Sequence, residues 1–173
     1  FEMLSSHPFT LQPKVFSVGA RIEHLQSEID KGLYGEYAGH PLLPKGEYQL
    51  SHREGGRGVY TFCMCPGGFV VPSSSEEGTV VTNGMSEYAR DGRNANAALV
   101  VNVSPEDYGP HPLDGLRFQQ RLERAAFTLA GSNYRAPAAT VGRFLKGEAG
   151  LDFGRVQPSY ALGIAPCDFD QLF

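Results

Sequence analysis

Apolar positions along this chain fall into short runs, and the strongest block lies between 57 and 86. Val59 to Cys65 is apolar enough to be buried on both faces, Pro66-Gly67-Gly68 signals a turn, and Phe69 to Pro72 returns. Thr79 to Thr82 follows a polar Ser/Glu turn. This block predicts three strands in an antiparallel meander. Upstream, Lys14 to Ile22 predicts a strand interrupted by Gly19, and Leu25, Ile29 and Leu33 form the i, i+4, i+8 stripe of a short amphipathic helix. Residues 34–46 have no period and read as a long loop. Glu47 to His52 alternates as an edge or half-buried strand leading into Gly55-Gly56, Tyr88 to Asn96 reads as a loop, and Ala97 to Val103 as an apolar strand. Ser104-Pro105 then offers capping chemistry, because Ser accepts from a free helix N–H and Pro is welcome at the first helical position.

The clearest helix spans Gly115 to Ala130, entered from Asp114 as N-cap and closed by Gly131, with Phe118, Leu122, Ala125, Ala126 and Leu129 as its core stripe. Arg117, Arg121 and Arg124 line another face, which suits a solvated surface better than a docking site. A second helix is expected from Pro137 with Val141, Phe144 and Leu145, and a last extended piece from Val156 to Ile164. Phe1 to Ser5 reads as a helix tail stopped by His7-Pro8. The sum is a single α+β domain over 1–173, built on a mainly antiparallel sheet or partly open barrel with two to three packed helices.

Composition narrows the possibilities. At 173 residues, 41% hydrophobic and 20% charged, the chain can bury one core. A net charge of −4 opposes nucleic acid as a partner, since phosphate contacts need a concentrated basic face. No apolar run approaches the roughly 20 residues of a membrane span. Three cysteines, an odd count, suit a reducing cytoplasm. Bulky apolar residues at both tips, Phe1 and Phe173, predict a segment of a longer polypeptide.

Side-chain alternation places Tyr60, Phe62 and Met64 on one strand face and Thr61, Cys63 and Cys65 on the other. The two sulfurs would then lie side by side. Residues two apart in an extended strand are separated by about 6.6–6.8 Å, the upper limit for a disulfide, so a bridge would require a kink. Zinc is disfavoured because the Cys-x-Cys is isolated and His7, His24, His40, His52 and His111 are scattered. Cysteines packed as small hydrophobes are the plainer reading. Gly67 and Gly68 allow close backbone approach to a ligand. Arg21, Glu23 and His24 could anchor an anionic substrate and relay a proton, or form an ordinary ion pair beside a histidine at a helix start. Phosphate-loop, nucleophile-elbow and zinc-protease motifs are missing from the sequence. Gly55-Gly56-Arg57-Gly58 lies between strands, where it cannot aim a helix dipole at a pyrophosphate.

Three runs carry a resemblance: Gly19-Ala20-Arg21-Ile22-Glu23-His24, Gly58 through Gly68 with its Phe-Cys-Met-Cys-Pro-Gly-Gly, and Val81-Thr82-Asn83-Gly84-Met85-Ser86. Gly115-Leu116-Arg117-Phe118-Gln119, Tyr134-Arg135-Ala136-Pro137 and Pro158-Ser159-Tyr160 extend it nearly end to end. In these runs the chain resembles a family of bacterial FAD-dependent dehydrogenases, NAD(P)/FAD-dependent oxidoreductases. The resemblance implies FAD in the parent protein, held by an FAD-binding domain of the same polypeptide and not by this segment, with NAD(P) as a candidate electron donor. It implies that this segment is an inserted substrate or cap domain acting on an unknown small molecule and not catalytic by itself. Pro66, Gly67 and Gly68 would face the flavin, with Cys63 or Cys65 exchanging electrons or a proton. Arg21, Glu23, His24, Asn83, Gly84, Met85 and Ser86 would line the substrate pocket. A structural interaction module and a thiol redox module are the other expectations.

Overall fold

The computed structural model describes residues 1–172, and Phe173 lies outside them. Two ten-residue strands form its frame. β1 (Phe16–Leu25) pairs antiparallel with β6 (Asn94–Val103) in unbroken register from Phe16 opposite Val103 to Leu25 opposite Asn94. β3 (Arg57–Cys65) takes the other side of β6, and β2 (Ser51–Glu54) forms the far edge, giving the order β1-β6-β3-β2. Gly55 and Gly56, both at positive φ (56° and 85°), close the β2–β3 hairpin, as a two-residue hairpin turn demands. Gly19 does not interrupt β1. A Cβ there would stand 2.0 Å from the Leu99 carbonyl oxygen, so the missing side chain lets β1 and β6 meet.

The expected meander does not form. β4 (Gly68–Pro72) leaves the large sheet and pairs with β5 (Thr82–Ser86) alone, while β7 (Ala136–Ala138) and β8 (Ile164–Pro166) make a short parallel pair. Gly67, at φ 52°, turns the chain away after β3. Thr79 and Val80 are buried core residues instead of strand, and the Val80 N–H donates to the Glu123 carbonyl at 3.0 Å. β6 starts at Asn94, earlier than its apolar residues suggest, because Asn94 and Asn96 find polar partners inside the fold. The edge or half-buried strand expected from Glu47 is the exposed edge strand β2, which begins only at Ser51, and Pro137 sits in β7, with the helix expected near it starting at Val141. The architecture is α+β with a mainly antiparallel sheet and no closed barrel.

Among the described residues the two longer helices are α2 (Gln26–Tyr34) and α4 (Asp114–Leu129). Three single-turn helices accompany them: α1 (Glu2–Ser5), α3 (Pro105–Tyr108) and α5 (Val141–Phe144). Ser104 and Asp107 form a full capping box on α3. Leu113, not Asp114, is the N-cap of α4. The basic row of α4 is spent at the surface, Arg117 on Asp114 and Arg124 on Glu76. No described helix is long and apolar enough to cross a membrane.

α2 buries Gln26 and Asp30, while of its expected apolar stripe Leu25 is buried, Ile29 half-buried and Leu33 52% exposed. Gln26 Nε2 donates to Asp30 Oδ1 at 2.7 Å and to the Gly46 carbonyl at 3.1 Å. Gln26 Oε1 accepts from the Gly67 N–H at 2.8 Å, and Asp30 Oδ1 accepts from the Gly46 N–H at 2.7 Å. One buried amide thus fastens the helix, the loop end and the turn after β3.

The apolar core is small. Val70, Val80, Ala136 and Tyr160 cluster with Ala126, Phe127 and Ile164 beneath α4, and Phe16, Tyr108 and Phe118 pack nearby. The accessible surface is 11086 Å², whereas a compact monomer of this mass exposes about 8,300 Å². That surplus exceeds the roughly 800 Å² each partner gives to an ordinary interface.

Gln26→Ala should lower stability by about 2–4 kcal/mol, because the Gly67 N–H and Asp30 lose partners they cannot replace with water. The urea midpoint reports it, and an unchanged midpoint would mean that the buried knot contributes little.

Candidate functional site

Arg21 organises the candidate site. Its Nη1 donates to the Cys63 carbonyl at 3.1 Å and to Asn96 Oδ1 at 2.6 Å and lies 3.9 Å from Cys65 Sγ, and its Nη2 donates to Asn83 Oδ1 at 3.0 Å. One guanidinium therefore joins β1, β3, β5 and β6. Its oxygen acceptors are neutral, and among the described residues no carboxylate reaches ion-pair distance of it. Gly84 makes room for it, since a Cβ there would fall 2.2 Å from Nη1 and 2.3 Å from Asn96 Oδ1.

The Cys63 carbonyl reaches Arg21 because β3 is not regular. Between the pairs Phe62–Ala98 and Cys65–Asn96, Cys63 and Met64 oppose the single residue Ala97, a β-bulge, with Cys63 in the left-handed region at φ 48°. The bulge breaks the regular alternation between Cys63 and Cys65. Cys63 is exposed and Cys65 buried, so only Cys65 behaves as a packed hydrophobe. Burial raises the Cys65 pKa, and the Arg21 charge opposes that rise.

Pro66, Gly67 and Gly68 are buried, and the close approach their glycines allow is to the chain itself. A Cβ on Gly67 would lie 2.0 Å from the Arg90 carbonyl oxygen, and one on Gly68 2.3 Å from that of Met85. Ser86 Oγ donates to the Pro66 carbonyl at 2.7 Å. Solvent meets this region at Phe62 (64% exposed), Cys63, Asn83 and Met85. A shallow hollow of about 380 Å³ adjoins it, where Tyr60, Phe62 and Val100 meet Ser17 and Asn102.

Arg21, Glu23 and His24 do not converge. Glu23 accepts from Asn94 Nδ2 at 2.9 Å, from the Ser159 N–H at 3.1 Å and from the Ser159 hydroxyl. Ser159 Oγ in turn accepts from the Val70 N–H at 2.8 Å, so this carboxylate anchors the 157–160 segment to the sheet instead of pairing with Arg21. His24, one residue on, faces the opposite side, where its Nε2 shares a 2.7 Å hydrogen bond with Tyr48 OH. Burial lowers the His24 pKa and raises that of Tyr48. Neither the ion pair nor the three-residue relay suggested by the sequence is present.

Asn94, Asn96 and Ser159 are the site residues that sequence reasoning missed. The Asn-x-Asn at the start of β6, on the sheet face that carries Arg21 and Glu23, is the signal that could have found them. Asn96 is fully buried and its Nδ2 has no partner. Among the described residues, no three His, Cys, Asp or Glu side chains gather as a metal site.

The family described as "FAD-dependent protein, C-terminal domain-like" matches residues 15–173. This chain belongs to that family. An uncharacterised protein of Clostridium beijerinckii is 49% identical over 166 residues, which is 94% of this chain and 31% of the relative. The chain thus spans under a third of that protein's length. Membership in the family implies FAD in the parent protein. The glycine turn does not cradle its phosphates: the Gly67 N–H is committed to Gln26, and the Gly55-Gly56 turn joins two strands.

Gly84→Ala should destabilise the domain by about 1–3 kcal/mol by displacing the guanidinium, a loss visible as a lower melting temperature. An undisturbed melt would show that Arg21 shifts freely. His24 carries a separate prediction. Because its folded pKa lies below the ordinary 6.5, the unfolded chain binds the proton more readily. Its contribution is full above pH 6.5 and is lost as pH falls through 6.5 toward the lower folded value. His24→Gln should flatten that part of the stability profile, and an equally steep profile in the variant would assign the acid sensitivity elsewhere.

Proposed function

We propose that this chain is the substrate-binding cap of an FAD-dependent dehydrogenase, closing over a flavin held by the FAD-binding domain of the same polypeptide. The observation that carries the reading is the solvent-facing edge formed by Phe62, Cys63, Asn83 and Met85 around a cation whose oxygen acceptors are all neutral. A fixed positive charge without a carboxylate suits an anionic group arriving from outside the domain. Family membership and the surplus exposed surface support it.

FAD, when bound, supplies two-electron transfer, with NAD(P)H as its electron donor. In the cap, Arg21 would orient the negative group of a small substrate. Asn83 and Asn96 hold that guanidinium in place, and Phe62 excludes water from the edge. Pro66, Gly67 and Gly68 act from behind, as the buried turn that fixes the Cys63 edge in space. Glu23 and His24 serve the frame of the pocket.

A second observation favours a docking role alongside this one. The opposite sheet face exposes Leu99, Val59 and Ala20 together, an apolar row suited to another part of the polypeptide or to a second copy.

The test uses the full-length polypeptide stripped of flavin and then reconstituted with FAD. Maleimide labelling of Cys63 should slow by about tenfold or more once FAD is bound, as expected for a reactive thiol withdrawn from solvent. Equal labelling with and without FAD would place this edge away from the flavin and overturn the reading.

A further inference from the structure

An extended Cys-x-Cys holds its Cα atoms about 6.6–6.8 Å apart, at the outer limit for a disulfide. The bulge in β3 removes that obstacle. Cys63 adopts φ 48°, the strand between the two thiols is no longer extended, and Cys65 Sγ folds over its neighbour to donate to the Cys63 carbonyl at 3.4 Å. Cys65 Sγ is thus within hydrogen-bond reach of the backbone of the residue that carries the other thiol. Their surroundings differ in a useful way: Cys63 is exposed, while Cys65 is buried with Arg21 Nη1 at 3.9 Å from its sulfur. A backbone strained at a thiol, a solvent-facing sulfur, and a sheltered sulfur beside a cation are the parts of a two-cysteine exchange centre.

We propose that Cys63 and Cys65 form a reversible dithiol–disulfide pair that exchanges with small-molecule disulfides, Cys63 attacking and Cys65 resolving. The Cys63 thiolate attacks one sulfur of the disulfide. A Cys63–sulfur bond forms, the reagent's S–S bond breaks, and one thiolate leaves and takes a proton from water. Cys65 then gives its proton to water, with the Arg21 charge beside the thiolate that forms, and attacks the Cys63 sulfur. The Cys63–Cys65 bond forms, the mixed disulfide breaks, and a second thiol departs. In sum the protein dithiol loses two electrons and two protons, and one external disulfide becomes two thiols. Neither step uses the flavin, so the proposal stands apart from the cap reading.

The chain carries its own control in Cys167, buried just after β8, where burial pushes its thiol up to about 11. The experiment incubates the reduced full-length polypeptide, stripped of flavin so that Cys63 is uncovered whatever the cap reading, with oxidised glutathione near neutral pH, blocks remaining thiols with an alkylating agent, and maps the products by peptide mass. In the wild type, the peptide containing Cys63 and Cys65 should lose two hydrogens, recover them with dithiothreitol, and leave Cys167 unmodified. Cys65→Ser should stop at a glutathione adduct on Cys63, and Cys63→Ser should give no adduct on Cys65. A wild-type protein that accumulates the Cys63 adduct with Cys65 still a free thiol overturns the proposal, as does one that does not react at Cys63. The wild-type result decides the matter even if a variant fails to fold.

Discussion

The fold depends on one guanidinium. Arg21 stands where β1, β5, β6 and the bulge of β3 meet, and each element lends it a neutral oxygen or, from Gly84, the space of a missing side chain. Removing a cation from water is costly unless its donors find acceptors, and three oxygens accept from it here without cancelling the charge. The result is a positive centre that is structurally required and still electrostatically unspent. The same bonds hold the Cys63 edge, so what secures the fold also shapes the surface assigned to the flavin.

Elsewhere polar cross-links stand in for apolar mass. Gln26 ties α2 to Gly46 and Gly67, Glu23 ties β1 to Ser159, and Asn94 reaches both Glu23 and the Gln157 carbonyl. A domain with so little buried hydrophobic surface gains specificity from such directional contacts, and each is sensitive to losing a single partner. The large exposed area is the counterpart of this economy. It suits a segment whose remaining stabilisation lies at contacts with the rest of its polypeptide.

Much of the framework was legible in the residues. The strand at Lys14–Ile22, the apolar runs at Val59–Cys65 and Ala97–Val103, the Ser104 cap and the long helix after Asp114 all have their counterparts, because periodicity and capping act locally. The path after Cys65 was not legible, since a bulge and a left-handed Gly67 send β4 to another sheet and neither leaves a mark in hydrophobicity. α2 was placed correctly and Leu25 of its stripe is buried, but the polar burial of Gln26 and Asp30 was not legible, because it is made with distant backbone groups. The Arg21–Glu23–His24 cluster failed for a simpler reason: neighbours in a strand point to opposite sides, and residues two apart can still be claimed by different partners. The glycines of the Cys-Met-Cys-Pro-Gly-Gly run serve the chain's own packing, a role that a resemblance in sequence does not reveal.

The large sheet closes on itself at neither edge. β2 leaves one border of unpaired backbone, and all four of its residues, Ser51, His52, Arg53 and Glu54, are exposed. An open border invites a foreign strand, yet this one bristles with ionic groups, His52 lying 3.7 Å from Glu54, and ends in a two-glycine tip that offers little to adhere to. Growth of the sheet by accidental addition is thereby discouraged at the hairpin, which can project from the domain without becoming a seed for aggregation.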